Sequence, residues 1–106
     1  MFLVFYLLAC EAPPGEPPPI LITMENRSGS MLTSFGVSEC GADTLYDWAD
    51  QNIRDGEDVT AELWLARCYQ YAVTEHRSQR TAVGSTERLL LWGDEWTWTV
   101  TGDDLK

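Results

Sequence analysis

The sequence Trp96-Thr97-Trp98-Thr99-Val100-Thr101 alternates apolar and polar side chains at every step. Successive side chains of a β-strand point to opposite faces, so this stretch predicts a strand with three apolar residues on one face and three threonines on the other. We expect the two tryptophans to share the core with Val100, because aromatic side chains bury large apolar areas. A strand of this kind indicates a β-rich fold.

Two earlier stretches alternate in the same way, with these residues in phase: Ile20, Ile22 and Met24 in the first, and Met31, Thr33, Phe35 and Val37 in the second. The connection between them, residues 26–29, reads Asn-Arg-Ser-Gly, which is typical of turns. Two alternating stretches joined by a short connection that contains glycine predict a β-hairpin.

A third alternating region, residues 59–73, is too long for one strand of ordinary length. Its apolar side chains stay in one phase: Val59, Ala61, Leu63, Leu65, Tyr69, Tyr71 and Val73. We expect a turn at Ala66-Arg67. One continuous strand is the alternative, since Ala-Arg lacks the glycine or asparagine of a tight hairpin. Residues 76–84 are polar and predict a loop, and residues 89–92, Leu-Leu-Leu-Trp, predict a short strand.

An acidic segment, residues 39–58, holds seven acidic side chains and one arginine. Four apolar residues within it recur at helical spacing: Leu45, Trp48, Ala49 and Ile53. This spacing predicts one or two helical turns. The carboxylates suggest a calcium site, but Arg54 stands where an EF-hand loop needs an oxygen ligand. We therefore expect a solvated acidic loop and no metal.

These patterns together predict an all-β fold. It is a small antiparallel β-sandwich, Ig-like, of about 6–7 strands, with a long acidic crossover loop that includes a short helix. Residues 20–102 would form this domain, and residues 103–106 a frayed tail.

The chain begins with nine apolar residues, 1–9, followed by a cysteine. The ending Leu7-Leu8-Ala9-Cys10 resembles the lipobox of bacterial lipoproteins. The resemblance implies that residues 1–9 are a signal peptide that is removed, and that the Cys10 sulfur carries a diacylglycerol anchor. As a helix, nine residues would span only about 14 Å, too short to cross a bilayer. The alternative is an N-terminal β-strand in the core.

Residues 10–19 contain all five prolines and predict a tether. A polyproline II segment rises about 3.1 Å per residue, so the residues after Cys10 would hold the domain roughly 25–30 Å from the membrane. A proline motif that binds a partner is the alternative.

If Cys10 carries the lipid, Cys40 and Cys68 are the remaining cysteines. An envelope compartment is oxidising, so we expect a disulfide between them that ties the two sheets. Closing a loop of about 28 residues would stabilise the fold by about 3 kcal/mol. Two unlinked buried thiols are the alternative.

The formal net charge is −10, with one lysine, Lys106. This charge argues against nucleic acid as a partner. It also argues against peripheral binding to anionic lipid, which leaves the N-terminal lipid as the only expected membrane attachment. His76 is the only histidine, and no serine lies in a Gly-x-Ser-x-Gly motif. We therefore expect no enzyme activity, no cofactor and no metal site.

The chain holds five tryptophans, of which Trp64 and Trp92 lie off the alternating pattern. We expect these two to be exposed. Indole faces stack on sugar rings, so Trp64 and Trp92 are candidate ligand-binding residues for a glycan such as peptidoglycan.

A looser resemblance covers most of residues 22–101. It is carried by short motifs in a fixed order: Met24-Glu25-Asn26-Arg27-Ser28, Arg54-Asp55-Gly56-Glu57, Cys68-Tyr69-Gln70-Tyr71 and the 96–101 stretch. In this order they look like a group of small secreted bacterial domains without a characterised function. Gln70 departs from that group, in which an acidic residue is usual. The resemblance supports a sandwich and implies no activity.

The sequence thus predicts a lipid-anchored, non-enzymatic interaction or structural module of the bacterial cell envelope, on the periplasmic or surface face of a membrane. Its partner would be an unidentified envelope protein or glycan. One alternative is a carbohydrate- or peptidoglycan-binding module that uses exposed tryptophans. Another is a small enzyme inhibitor that presents the acidic loop through Asp47, Asp50 and Asp55.

Overall fold

The computed structural model describes residues 17–43, 46–49 and 52–106. The predicted signal peptide, Cys10 and most of the tether lie outside these residues, as do Leu45 and Asp50. The described residues form seven strands and a short 3-10 helix: β1 (Ile20–Arg27), β2 (Leu32–Glu39), β3 (Tyr46–Ala49), β4 (Asp58–Leu63), β5 (Tyr69–Glu75), β6 (Thr81–Ser85), β7 (Glu95–Thr101) and the helix Gly102–Asp104.

The strands form two sheets, which confirms the predicted small all-β sandwich. Sheet I has the order β4-β1-β7, and sheet II has the order β3-β2-β5-β6. Neighbouring strands are antiparallel, except that β1 and β7 pair in parallel, from Leu21–Glu95 to Arg27–Thr101. This parallel pair arises because residues 86–94 lead the chain from sheet II to the end of sheet I at which β1 starts.

The core lies between the two sheets and follows much of the predicted alternation. Its buried members on β1, β5 and β7 are Ile20, Ile22, Met24, Tyr69, Tyr71, Val73 and Val100. Trp96 and Trp98 are half-buried and pack against this cluster. The predicted inward face of residues 96–101 is therefore confirmed.

β1 and β2 do not form the predicted hairpin, because they belong to different sheets. The reason is the buried Asn26. Its Nδ2 donates to the carbonyls of Ser30 and Ile53, at 2.8 and 2.9 Å. Its Oδ1 accepts from the backbone N–H and the hydroxyl of Ser28, at 3.0 and 2.7 Å. These four bonds hold the connection as an arch between the sheets.

β2 lies where it was predicted, and its phase was predicted correctly for Phe35 and Val37 but wrongly before them. Ser34 has a positive φ of 58°, and the register with β5 shifts around it. This is a β-bulge, which changes the face that the following side chains occupy. As a result, before the bulge Leu32 is fully buried, whereas Met31 is exposed and Thr33 is half-buried. After the bulge, Phe35 and Val37 are buried in the predicted phase.

The short helix predicted in the acidic segment is absent from its described part. Residues 46–49 form β3, which pairs antiparallel with β2, and Ile53 forms an isolated bridge with Leu32. The edge of β2 offers backbone N–H and C=O groups that need partners. Pairing with this edge outweighs the weak helical spacing of the segment.

The long region that ends at Val73 is divided into β4 and β5, as predicted. The expected turn at Ala66-Arg67 lies inside a longer connection, residues 64–68, and the two strands belong to different sheets. Two other predictions are wrong, since residues 81–85 form β6 and residues 89–92 are a loop. β6 buries one side chain fully, that of Ala82, and such an edge strand leaves little periodic signal in the sequence.

Cys40 and Cys68 form a disulfide, with their Cα atoms 5.3 Å apart. The backbone N–H of Cys40 also donates to the carbonyl of Cys68 at 2.9 Å. Cys40 directly follows β2 and Cys68 directly precedes β5, and these strands are neighbours in sheet II. The bond therefore secures one end of sheet II. The expectation that it ties the two sheets is wrong.

The C-terminal residues are packed, in contrast to the predicted frayed tail. The backbone N–H of Thr101 donates to the Asp104 carboxylate at 2.8 Å, and Leu105 is buried. The backbone N–H of Lys106 donates to the carbonyl of Thr81 at 2.9 Å. The last residues thus cover the end of β6.

Candidate functional site

Three segments of the chain meet at the end of the sandwich where β1 starts. Ile20 pairs with Leu63, the last residue of β4, and Leu21 pairs with Glu95, the first residue of β7. Because β1 is the central strand of sheet I, the connection after β4 and the loop before β7 emerge on either side of it. We call this the entry end, since residues 17–19 lead into β1 here.

The connection after β4 and the loop before β7 are hydrogen-bonded to each other. The indole N–H of Trp92 donates to the carbonyl of Trp64 at 2.8 Å. The backbone N–H of Leu90 donates to the carbonyl of Arg67 at 2.9 Å. Leu90 is fully buried and anchors its loop in the core. These contacts bring Trp64 and Trp92, 28 positions apart in the chain, into one surface.

Five large apolar side chains around this contact are exposed to solvent. Their exposed fractions run from 47% for Trp92 to 55% for Leu89. We call them the Trp64–Trp92 surface, which consists of Trp64, Leu65, Leu89, Leu91 and Trp92. Among the described residues, the other exposed large apolar side chains are Met31 and Val83. Apolar exposure is therefore concentrated at the entry end.

The predicted exposure of Trp64 and Trp92 is confirmed, while their binding of a ligand stays a prediction. Sequence reasoning missed the leucines of this surface. The signal that could have revealed Leu89 and Leu91 was the unbroken run Leu-Leu-Leu-Trp. A short segment at the surface can bury only some members of such a run.

Trp96 and Trp98 are not members of this surface. The ring of Trp98 lies 4.4 Å from that of Tyr71, at an angle of 40°, and the indole N–H of Trp96 donates to the Tyr71 hydroxyl at 2.9 Å. Burial raises the pKa of Tyr71. Gly84, opposite Tyr71 in β6, leaves room for its ring, since a Cβ there would lie 2.5 Å from a ring carbon. These contacts close one side of the core, in agreement with the predicted core role of both tryptophans.

A groove of about 300 Å³ lies beside Trp64 at the entry end. Leu63 and Leu65 line it from the side of sheet I, and Val37 and Tyr69 line it from sheet II. The Tyr69 hydroxyl donates to the carbonyl of Leu65, which fixes the connection after β4. Burial raises the pKa of Tyr69. The groove extends the apolar character of the entry end into the gap between the sheets.

Two arginines accompany the loops of the entry end, and each is paired with an acid. Arg67 lies 3.3 Å from the Glu39 carboxylate, and Arg88 lies 3.7 Å from the Asp94 carboxylate. Both pairs are largely exposed to solvent, where such contacts contribute little to stability. In the described part of the chain, this end therefore presents no concentrated positive charge.

The opposite end of the sandwich contains a buried carboxylate, that of Glu75. It accepts hydrogen bonds from the Ser78 hydroxyl and from two nitrogens of Arg80, at 3.1 and 3.0 Å. Hydrogen bonds from Ser78, Ser30 and Arg80 lower the pKa of Glu75 from 4.5 to about 2. The neighbouring His76 is exposed. The carboxylate is therefore ionised at neutral pH and holds the turn between β5 and β6.

Of the three acids suggested for the inhibitor function, Asp55 makes a hydrogen bond within the fold. The Asp55 carboxylate accepts the backbone N–H of Gly29 at 2.9 Å, which links it to the arch between β1 and β2. Asp47 lies on β3, and Asp50 lies outside the described residues. Of these three acids, the contacts of Asp55 are the ones that the described residues show.

Within the described ranges, no group of three His, Cys, Asp or Glu side chains is placed to hold a metal ion. No helix of these ranges is long and apolar enough to cross a bilayer. The chain matches no protein-family model, no curated protein and no solved structure. The resemblances to bacterial lipoproteins and to small secreted domains stay predictions based on their motifs.

Proposed function

We propose that this protein is a lipid-anchored, non-enzymatic interaction or structural module of a bacterial cell envelope. The motif Leu7-Leu8-Ala9-Cys10 supports the anchor. The main structural support for an envelope location is the Cys40–Cys68 disulfide. Disulfides form and persist in oxidising compartments and are rare in the cytosol, so the bond supports export independently of the lipobox.

The entry end suits a protein that is held at Cys10. The backbone N–H of Gly93 donates to the carbonyl of Pro19 at 3.3 Å, and Leu21 donates to the carbonyl of Asp94 at 3.0 Å. The chain that arrives from Cys10 is thus fixed to the loop before β7. An anchor at Cys10 would therefore attach the domain through its entry end.

The titratable groups of the described residues favour a binding or structural role. The only histidine, His76, is exposed. The carboxylate whose pKa is lowered, that of Glu75, is engaged by Ser78 and Arg80. A general base needs a pKa near the working pH, and a carboxylate with a pKa of about 2 does not meet this requirement.

The proposal is tested by the intact mass of the full chain extracted from its native membrane without reductant. We expect a chain that starts at Cys10, carries added acyl mass and is two hydrogens lighter than the reduced form. Cys10→Ser should remove the acyl mass and release the protein from the membrane fraction. An unmodified full-length chain with three free thiols would contradict both the anchor and the envelope location.

A second candidate function is favoured by one observation, the contact between Trp64 and Trp92 at an exposed site. Two neighbouring indoles could stack on adjacent sugar rings of a glycan. Titrating tryptophan fluorescence with soluble peptidoglycan fragments tests this candidate. A saturable shift that Trp64→Ala/Trp92→Ala removes, and Val83→Ser retains, would support it. No shift at any fragment concentration would exclude it for this polymer.

The inhibitor function has less support. Asp55 binds the arch at Gly29, so its carboxylate contributes to the fold. Replacing Asp47, Asp50 and Asp55 by Asn tests this function, because unchanged binding of a partner enzyme would remove its basis.

A further inference from the structure

We propose that the Trp64–Trp92 surface inserts into the interface of the same membrane that holds the lipid on Cys10. The domain then lies on the bilayer with its entry end facing the membrane. This inference depends on the proposed lipid anchor and extends it. The anchor attaches the chain, whereas this surface would set the orientation and depth of the domain.

The composition of the surface supports a lipid interface as its occupant. It combines two tryptophans with three leucines, each about half exposed. Indole rings favour the headgroup level of a bilayer, because the ring is apolar and its N–H is polar. Leucines favour the acyl boundary just below that level. Exposed apolar side chains that lie together are uncommon on freely soluble domains and mark interaction sites.

The position of the surface also points to the membrane. Pro19 accepts a hydrogen bond from Gly93, the residue after Trp92, and a Cβ on Gly93 would lie 3.3 Å from Pro18. The end of the predicted tether is therefore part of the entry end. Only residues 11–16 remain between Cys10 and Pro17, a reach of at most about 25 Å. The sequence alone suggested a nine-residue spacer that holds the whole domain away from the bilayer, but the last part of that spacer is bound to the domain.

The charges around the surface indicate which lipids it would prefer. Arg67 and Arg88 are paired with Glu39 and Asp94, at 3.3 and 3.7 Å, and the whole chain carries a net charge of −10. Attraction to anionic headgroups therefore cannot drive docking. Insertion would depend on apolar contact, so we expect it in zwitterionic bilayers and with little dependence on salt.

A glycan fits this surface less well than a lipid interface does. Stacking on sugar rings uses flat aromatic faces. The three leucines, Leu65, Leu89 and Leu91, offer no such face.

The test uses the full acylated chain, purified from its membrane and reconstituted in phosphatidylcholine vesicles. Vesicles whose acyl chains carry bromine near the headgroup are compared with unbrominated ones, because bromine quenches tryptophan fluorescence at short range. We expect at least a twofold greater fluorescence loss for the wild type than for Trp64→Phe/Trp92→Phe. Leu89→Ser/Leu91→Ser keeps all five tryptophans and should also lose at least half of the quenching. Val83→Ser, which removes an exposed apolar side chain outside the surface, should leave it unchanged.

Three results would overturn the inference. An acylated wild type that floats with the vesicles but shows equal fluorescence in both kinds of vesicle would leave the anchor intact and place the surface away from the bilayer. Quenching that the leucine variant retains in full would contradict a role for this surface. A chain without acyl mass would overturn the anchor and this inference together, and the intact mass identifies that case. Circular dichroism and the unfolding midpoint of each variant show that its fold is retained.

Discussion

The two ends of the sandwich differ in how they hold the connections between strands. At the opposite end, buried polar side chains hold the connections. Asn26 makes four hydrogen bonds, and Glu75 accepts hydrogen bonds from Ser78 and Arg80. At the entry end, the loops are held by backbone hydrogen bonds, by the disulfide and by the buried Leu90. Five large apolar side chains there are left in solvent.

This difference indicates that the two ends contribute differently to stability and to the binding of a partner. Polar groups that are fully bonded inside the fold are not free to recognise a partner. Apolar side chains that are not required for packing can be buried against one at little cost to the fold. Substitutions of the buried polar side chains at the opposite end should therefore destabilise the fold, whereas substitutions of the exposed apolar side chains at the entry end should change its contacts.

Asn26→Ala should have the largest effect. It removes four hydrogen bonds and leaves the buried carbonyl of Ile53 without this donor, so we expect a loss of about 4 kcal/mol in the free energy of unfolding. Urea denaturation followed by tryptophan fluorescence measures this loss. Ser28→Ala removes one of the four bonds to Asn26, together with the weaker bonds of the hydroxyl to the Ser30 backbone. It should cost about 1 kcal/mol. Equal losses for the two variants would contradict a central role of Asn26.

Cys40→Ser/Cys68→Ser tests how much the entry end depends on its disulfide. The bond closes a separation of 28 residues, so its removal should lower the free energy of unfolding by about 3 kcal/mol through greater entropy of the unfolded chain. Adding reductant to the wild type should reproduce the loss. If the variant is as stable as the oxidised wild type, the entry end is secured by its other contacts.

The pH dependence of stability sharpens the comparison at the opposite end. The pKa of Glu75 is about 2 in the fold against an ordinary value of 4.5, so below pH 4.5 the unfolded chain takes up the proton first. The resulting stabilisation is present above pH 4.5 and is lost as the pH falls towards 2. Thermal unfolding midpoints between pH 6 and pH 2 should fall less steeply for Glu75→Gln than for the wild type. Parallel curves would contradict this assignment.

Leu89→Ser/Leu91→Ser should have the smallest effect on stability. Both side chains are about half exposed in the fold, so we expect a change within about 0.5 kcal/mol. Leu90→Ala is the matched control, because this side chain is fully buried between them and its loss should cost about 3 kcal/mol. A large loss for the double variant would show that the surface leucines are part of the core.

Strand phase was predictable where one face is buried along a whole strand. β1 and β7 alternate without interruption, so Ile20, Ile22 and Val100 were assigned correctly to the core. The same reasoning failed in the part of β2 before Ser34, because a bulge at Ser34 changes the phase and no residue type there indicates a bulge. It also failed in β6, an edge strand in which only Ala82 is fully buried.

Strand partners were less predictable than strands. A turn-like sequence between two strands fits both a hairpin and an arch, and the choice depends on the buried amide of Asn26, which binds a carbonyl 27 positions away. The strand at residues 46–49 depends on the free edge of β2, which a local helical spacing cannot reveal. At the entry end, the exposure of Trp64 and Trp92 was predicted, but their contact requires β1 to lie between β4 and β7.

The parallel pairing of β1 with β7 has a consequence for the order of folding. The first strand of the domain is completed by the last one, and Thr99 donates to the carboxylate of Glu25 across 74 positions of the chain. Pairings of such long range must close a large loop before they contribute energy, which makes folding slow. If the chain is exported N-terminus first, as the proposed anchor implies, sheet I could not be completed until β7 has emerged from the translocon. Under the proposed export, this topology would delay the completion of the fold until β7 has emerged.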